Sequence, residues 1–204
     1  MAKLVSTLFV SADGVAEIDP AWHFPYFDEN MGRAVSEDYD TADVLLLGRE
    51  TYDSFAGAWP GREAAGGDDA GFAKQLGDVR KVVASRSPLA FTWRGSEQLE
   101  GDLVEAVTAL KADPGVRGIL VPGSISVVQQ LLAAGLVDEL RLLVHPVAAR
   151  KGRRLFDDGD APYHLSVVAT EAYPTGVIRV VYAPTEPPAP AGYDDITDQV
   201  PAAG

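Results

Sequence analysis

The stretch Ile119–Val147, ILVPGSISVVQQLLAAGLVDELRLLVHPV, decides the fold. Ile119-Leu120-Val121 is a short apolar run halted by Pro122-Gly123, the pattern of a buried strand ending in a tight turn. Ser124 or Ser126 can then cap a helix, its hydroxyl accepting a first-turn N–H. Val127, Val128, Leu131 and Leu132 form one apolar stripe of that helix. Gly135 suits the left-handed position past the helix end, and Leu136 the apolar contact that follows. Leu140 to Val144 is a second apolar strand. Strand, glycine turn, helix and strand make a βαβ unit with a right-handed crossover. The turn at the first strand's carboxyl end suits a phosphate, because backbone N–H groups and a helix N-terminus face outward there. The same pattern also serves as a purely structural corner.

Upstream, Lys3–Val10 is rich in β-formers and reads as a strand, broken by Ser11-Ala12-Asp13-Gly14. Trp22-His23-Phe24-Pro25-Tyr26-Phe27 packs rings into a loop, either lining a pocket for a flat ligand or plugging the core. Residues 28–39 read as a helix. Val44-Leu45-Leu46-Leu47 is apolar throughout, the mark of a strand covered on both faces. Gly48-Arg49-Glu50-Thr51-Tyr52 opens a short helix reaching about Phe55, and Gly61–Gly71 reads as a flexible acidic loop. Arg80–Ala84 is a strand ending in Ser85-Arg86-Ser87-Pro88. Asp102 can cap the next helix.

Downstream, the basic loop ARKGRR holds arginines that either approach a ligand or are solvated. Residues 164–172 and 177–183 form a closing hairpin around Pro174-Thr175-Gly176. From Pro184 the chain is a Pro-rich acidic tail, set apart from the domain over 1–183. Alternating strands and helices with a final hairpin predict a three-layer α/β fold and a mostly parallel sheet.

The 204 residues, 47% of them hydrophobic, fit one domain with a substantial core. A formal charge of −13 argues against nucleic acid or an anionic membrane as partner. No cysteine means no disulfide and no thiolate metal site, and suits the cytoplasm. The N-terminal apolar run is too short to span a bilayer. His23, His145 and His164 lack metal-ligand spacing, so no metal is expected. There is no G-x-S-x-G elbow, no G-x-x-x-x-G-K-[ST] loop and no G-x-G-x-x-G after the first strand. What survives is three patches at strand ends: Gly48-Arg49/Thr51, Ser85-Arg86 and Gly123-Ser124. Sharing one sheet edge, they can hold a ligand with several phosphates.

In order, LFVSADGVAE, WHFP, LLLGRETYDSF, KVVASRS, GLVDELRLLVHPV and GVIRVVYAP resemble the dihydrofolate reductase-like superfamily. The closest branch resembles the reductase domain of riboflavin biosynthesis, the RibD C-terminal type, over Lys3 to about Ala183. The resemblance implies a reductase of a small flat heterocycle using NADPH stretched across the sheet. Gly48, Arg49, Thr51, Ser85 and Arg86 would surround the adenosine ribose and its 2′-phosphate, and Gly123, Ser124, Ile125 and Ser126 the pyrophosphate. The nicotinamide edge would lie at Ala12–Val15. Substrate would sit between Trp22–Phe27 and Tyr52–Phe55. By likeness to the glycine pair of folate reductases, Gly123–Ser124 is the peptide expected to be cis. Asp13 and Asp28 are candidate proton sources, each equally readable as a turn or cap carboxylate.

Departures from the pattern narrow this reading. Folate reductases carry an acid two residues after the proline of a W-x-x-P segment, and here Phe27 stands there. Dihydrofolate is therefore not expected as substrate. The glycine pair is Gly123-Ser124, and PVAARKG lacks the family's glycine after Pro-Val, so that loop is expected to be rebuilt. No H-x-E or P-C-x-x-C supplies a deaminase. A binding module that kept the fold and lost the reaction is the alternative, and a homodimer is compatible with either.

Overall fold

A computed structural model of the chain describes residues 1–156, 159, 161–190 and 192. Among these residues eight strands form one sheet: β1 (Lys3–Ser11), β2 (Val44–Gly48), β3 (Arg80–Ala84), β4 (Ser96–Gln98), β5 (Gly118–Val121), β6 (Glu139–His145), β7 (Leu165–Ala172) and β8 (Ile178–Pro184). Their order is β4-β3-β2-β5-β1-β6-β8-β7. The first six strands run parallel, and β8 and β7 close the sheet antiparallel. This is the mostly parallel three-layer α/β architecture expected, with the hairpin at its end. The acidic tail lies outside the described residues from 191 on, Gly192 excepted.

Among the described residues six helices cover the faces: α1 (Pro20–His23), α2 (Glu29–Asp40), α3 (Arg49–Ala65), α4 (Ala70–Asp78), α5 (Leu103–Ala112) and α6 (Ile125–Ala133). Alternation along each strand sorts the core into two sides. Leu4, Leu8, Val10, Leu140 and Leu142 meet Val107, Leu110, Val128 and Leu131 of α5 and α6. Val5, Leu45, Leu47, Val83 and Leu120 meet Tyr39, Tyr52 and Leu76 on the other side. There Met31 and Ala34 of α2 also pack on Leu143. α6 ends as expected: Gly135 has φ 65, its N–H donates to the Leu132 carbonyl at 3.0 Å, and Leu136 N–H to that of Leu131 at 2.9 Å.

Three local expectations need correction. The helix after β2 runs to Ala65, through Pro60, and α4 starts at Ala70, so only residues 66–69 of the supposed acidic loop connect them. Pro60 forfeits one backbone hydrogen bond, and Gly66 at φ 69 ends the helix. The ring-rich stretch is α1 followed by a 3₁₀ turn, Phe24–Tyr26. Ser124 is the N-cap of α6 by backbone position, but its hydroxyl makes no capping bond. One buried cation is structural: Lys81 Nζ donates to the carbonyls of Leu76, Gly77 and Val79 at 2.7, 2.9 and 2.7 Å. It thereby closes the carboxyl end of α4, 4.3 Å from the Trp93 ring centre.

Candidate active site

Register aligns the carboxyl ends of the parallel strands. Gly48 lies opposite Ala84, Ser11 opposite His145, and Gly48 N–H donates to the Gly123 carbonyl at 3.0 Å. A cleft of about 640 Å³ opens along the β3-β2-β5 part of this edge. Gly48, Arg49, Ser85, Arg86, Ser124 and Ser126 line it, so the three patches meet. The Gly48 and Ser124 turns approach so closely that a Cβ on Gly48 would collide with Ser124 Oγ. A Cβ on Gly123, whose φ is 144°, would stand 2.7 Å from Thr51 Oγ1. The Gly123–Ser124 peptide is cis. Thr51 thus lies under the turn, and Ile125 belongs to the core rather than to the cleft wall.

Two helices start in this cleft. Asp19, Asp28 and Asp102 cap α1, α2 and α5 by accepting from first-turn N–H groups. α3 and α6 begin at Gly48 and Ser124 with no side-chain cap, and both begin in the cleft; α4 also starts uncapped, at Asp69, but away from the cleft lining. First-turn donors and the positive ends of two helix dipoles are thereby left for an anion. Arg49 Nε is 3.4 Å from Asp53, and its Nη1 is 3.5 Å from Ser87 Oγ, both weak contacts. Arg86 is exposed and its side chain makes no ion pair or hydrogen bond among the described residues. These residues fit a phosphorylated dinucleotide: a turn without side-chain bulk, two open helix starts, and two guanidinium groups for a further phosphate.

Further along the edge, at β1 and β6, the polar groups are enclosed. His23 Nδ1 and His145 Nε2 are 3.1 Å apart, and His145 Nδ1 is 3.0 Å from the Leu143 carbonyl. A carbonyl only accepts, so His145 carries its proton on Nδ1 and accepts from His23 Nδ1–H; His23 Nε2 keeps a lone pair. Burial, reinforced by His145, pushes His23 down to about 4, and burial lowers His145 too. Phe9, Phe24 and Phe27 surround His23 with ring centres at 4.4, 5.1 and 5.7 Å. Trp22 is 5.1 Å from His145. Phe24 and Phe27 are 63% and 46% exposed, leaving two aromatic faces open beside a buried imidazole. Sequence reasoning noticed the rings but not the histidine pair, whose members stand 122 residues apart.

Residues 2–179 match the RibD C-terminal domain family. The chain belongs to that family. It is 29% identical over 191 residues to an uncharacterised Bacillus subtilis protein, YyaP, covering 88% of this chain and 94% of that one. Among solved structures, a putative riboflavin biosynthesis protein from Shewanella has a TM-score of 0.70 at 18% identity, with 91% and 100% of the two chains covered. A Thermotoga maritima diaminohydroxyphosphoribosylaminopyrimidine deaminase/5-amino-6-(5-phosphoribosylamino)uracil reductase has a TM-score of 0.64 at 16% identity, covering 90% and 57%. Enterococcus faecalis dihydrofolate reductase, complexed with NADP(H), has a TM-score of 0.58 at 19% identity, covering 90% and 97%.

In this member of the RibD C-terminal family, several expected site residues have other duties. Asp13 accepts from Ser11 Oγ at 2.6 Å and from Ala149 and Arg150 N–H at 2.9 Å. Those bonds hold its carboxyl near 2, so it carries no proton at neutral pH. Asp28 accepts from Met31 N–H at 2.9 Å, which lowers its pKa. Asp13 thus serves as a turn carboxylate and Asp28 as the cap of α2. Tyr52 is buried against Phe91 and Trp93, its hydroxyl lacking a partner, and Phe55 packs near Trp59. No ring contact among the described residues joins them to Trp22 or Phe27, the other group expected to flank the substrate. Ala12 is exposed, its N–H bonded to Val147, whereas Val15 is buried and bridges to Arg154. In the loop lacking the family's glycine, Arg150 itself takes φ 61. No cluster of three potential metal ligands occurs among the described residues.

Proposed function

We propose that this protein is an NADPH-dependent reductase of a small, flat, pyrimidine- or pterin-like heterocycle. The observation that carries the reading is the pair of uncapped helix starts, α3 and α6, opening into one cleft beside Arg49 and Arg86. Family membership and the reductases among the structural neighbours support it. Gly48, Gly123, Ser124 and Ser126 would receive the pyrophosphate. Arg49, Arg86 and Ser85 would receive the 2′-phosphate, where a guanidinium fork matches phosphate oxygens. Bound NADPH supplies a hydride. The chain orients the reactants: Trp22, Phe24 and Phe27 offer faces for a flat ring beside the His23–His145 pair. With Asp13 and Asp28 both ionised and engaged, the proton comes from solvent.

In a protein of net charge −13, the 2′-phosphate is repelled unless local cations meet it. NADPH therefore binds more tightly than NADH. Arg49→Ala weakens NADPH by about tenfold, or about 1.4 kcal/mol, and leaves NADH nearly unchanged. Calorimetric titration of both cofactors checks this, and equal wild-type affinities would overturn it. Dihydrofolate supports negligible NADPH oxidation, since Phe27 stands at the acid position; turnover of roughly 1 s⁻¹ would contradict that. The occupied carboxylates favour one second reading, a nucleotide-binding module without turnover. Tight NADPH binding with no oxidation by 5-amino-6-(5-phosphoribosylamino)uracil or related pyrimidines would select it.

A further inference from the structure

Arg153 lines the cleft without belonging to any of the three strand-end patches. It comes from the loop after β6. Its backbone is fixed on the segment leaving β1: its N–H donates to Glu17 Oε2 at 2.8 Å, and its carbonyl accepts from Ala16 and Glu17 N–H at 2.8 and 3.2 Å. From there the side chain crosses to the first turn of α3, where Nη2 donates to Glu50 Oε2 at 2.8 Å. Nε stays 3.8 Å from Glu17. One guanidinium thus bridges two walls of the cleft and is oriented by an acid on each.

The strand order fixes what lies beneath it. Along β3-β2-β5-β1-β6, Arg86 and Arg49 follow β3 and β2. Arg153 starts from the β1 and β6 side and reaches α3, which follows β2. Between these lies β5, with the Gly123–Ser124 turn and the uncapped start of α6. We infer that Arg153 is the cation for the cofactor's pyrophosphate, distinct from the arginines serving the 2′-phosphate; this rests on the cofactor reading above. Glu50 and Glu17 are its positioning residues.

Charge explains why such a residue is needed. Glu50 and Asp102 also line the cleft, so a pyrophosphate entering it meets two carboxylates. Asp102 is occupied as the cap of α5. Glu50 is neutralised by Arg153 alone among the described residues. Their side chains are 71% and 52% exposed, and an ion pair so exposed is weak and screened. A guanidinium carries five N–H donors, so Arg153 can keep Glu50 and still present donors to phosphate oxygens.

The test is calorimetric titration of wild type, Arg153→Ala, Arg153→Lys and Arg49→Ala with NADPH and with adenosine 2′-monophosphate. The second probe carries the 2′-phosphate but no pyrophosphate. Arg153→Ala should weaken NADPH about tenfold and leave adenosine 2′-monophosphate within about twofold, whereas Arg49→Ala weakens both. Arg153→Lys, keeping the charge without the fork, should lose about threefold on NADPH. Wild type binding NADPH with Arg153→Ala unchanged would make Arg153 a surface strap and overturn the inference alone. Equal loss on both probes would make it a general cleft charge and overturn the pyrophosphate assignment. A wild type that binds no NADPH would overturn the cofactor reading and this inference together.

Discussion

At the β2, β3 and β5 end of the sheet's carboxyl edge, Arg86 is unpaired among the described residues and two helices start uncapped. On the α2 side of β1 and β6, polar groups of comparable strength are paired with one another, save the buried Nε of Arg179, which has no partner among the described residues. Asp38, 1% exposed, accepts from Thr7 Oγ1 at 2.7 Å and from Arg141 and Arg179 at 2.6 Å. Glu139 and Glu37 take further N–H groups of the two arginines. His23 and His145 are hydrogen-bonded to each other in the same layer. Buried polar groups must be paired for the fold to stand, so such pairing marks structure. Donors left unpaired on an open edge cost the fold little and are free to meet a ligand.

The largest effect that can break this contrast is at Asp38. Asp38→Ala removes the carboxylate shared by two arginines whose side chains are only 15% exposed. Loss of about 3–5 kcal/mol of stability is expected, because uncompensated buried charge is left behind. In the cleft, Arg86→Ala should change stability by no more than about 0.5 kcal/mol. Urea unfolding of both variants measures the difference. Equal losses would mean that the two regions do not divide into structure and site.

That division also explains what was legible in the sequence. Leu45 to Leu47 are buried on both sides of the sheet, so an unbroken apolar run announced β2. The cleft was legible because its parts are local: a glycine, a small hydroxyl and an arginine at three strand ends. The cluster around Asp38 was not, since Thr7, Asp38, Arg141 and Arg179 come from four elements and meet only through tertiary packing. β4 is three residues, Ser-Glu-Gln, with no apolar signal. The second half of α3 was hidden by Pro60 and Gly61, which read as breakers. It persists because Glu63 is held by Arg94 at 2.7 and 2.9 Å, a partner 31 residues away. Arg153 was visible only as one of several loop cations. Nothing local placed it opposite Glu50.

Acid sharpens the same contrast more mildly. An unfolded histidine protonates below its ordinary value of 6.5, whereas folded His23 resists until about 4. Between those values the unfolded chain binds more protons, so the stability present above pH 6.5 is lost as pH falls toward 4. The full interval corresponds to about 3 kcal/mol, at 1.36 kcal/mol per pH unit. Most carboxylates remain ionised down to about pH 5, which leaves histidines to act alone in the upper part of the window. His23→Phe should flatten the stability profile between pH 6.5 and 5. An unchanged slope would remove the buried pair as its cause. NADPH affinity per folded molecule should not follow this profile, since His23 and His145 do not line the cleft.

The smallest effect concerns the loop that joins the two regions. Ala149 and Arg150 are bonded to Asp13, and three residues on Arg153 reaches Glu50. Arg150 stands at φ 61, where a side chain is crowded by the following carbonyl. That conformation costs an L-residue roughly 1–2 kcal/mol, while glycine's greater freedom in the unfolded chain costs roughly 0.5–1 kcal/mol. The difference favours glycine, so Arg150→Gly should stabilise the protein by about 0.5–1 kcal/mol. The bond from residue 150 to Asp13 is made by a backbone N–H and survives the change. Asp13→Asn, by contrast, keeps the shape but weakens the acceptor that holds Ala149 and Arg150, so it should loosen the loop. Thermal unfolding of both variants, with NADPH titration of each, separates the two contributions. If Arg150→Gly raises stability and leaves affinity alone, the loop's conformation is set by Asp13, and Arg153 is already in place before any ligand arrives. If the gain in stability comes with weaker NADPH binding, the strained arginine is itself part of what aims Arg153 into the cleft.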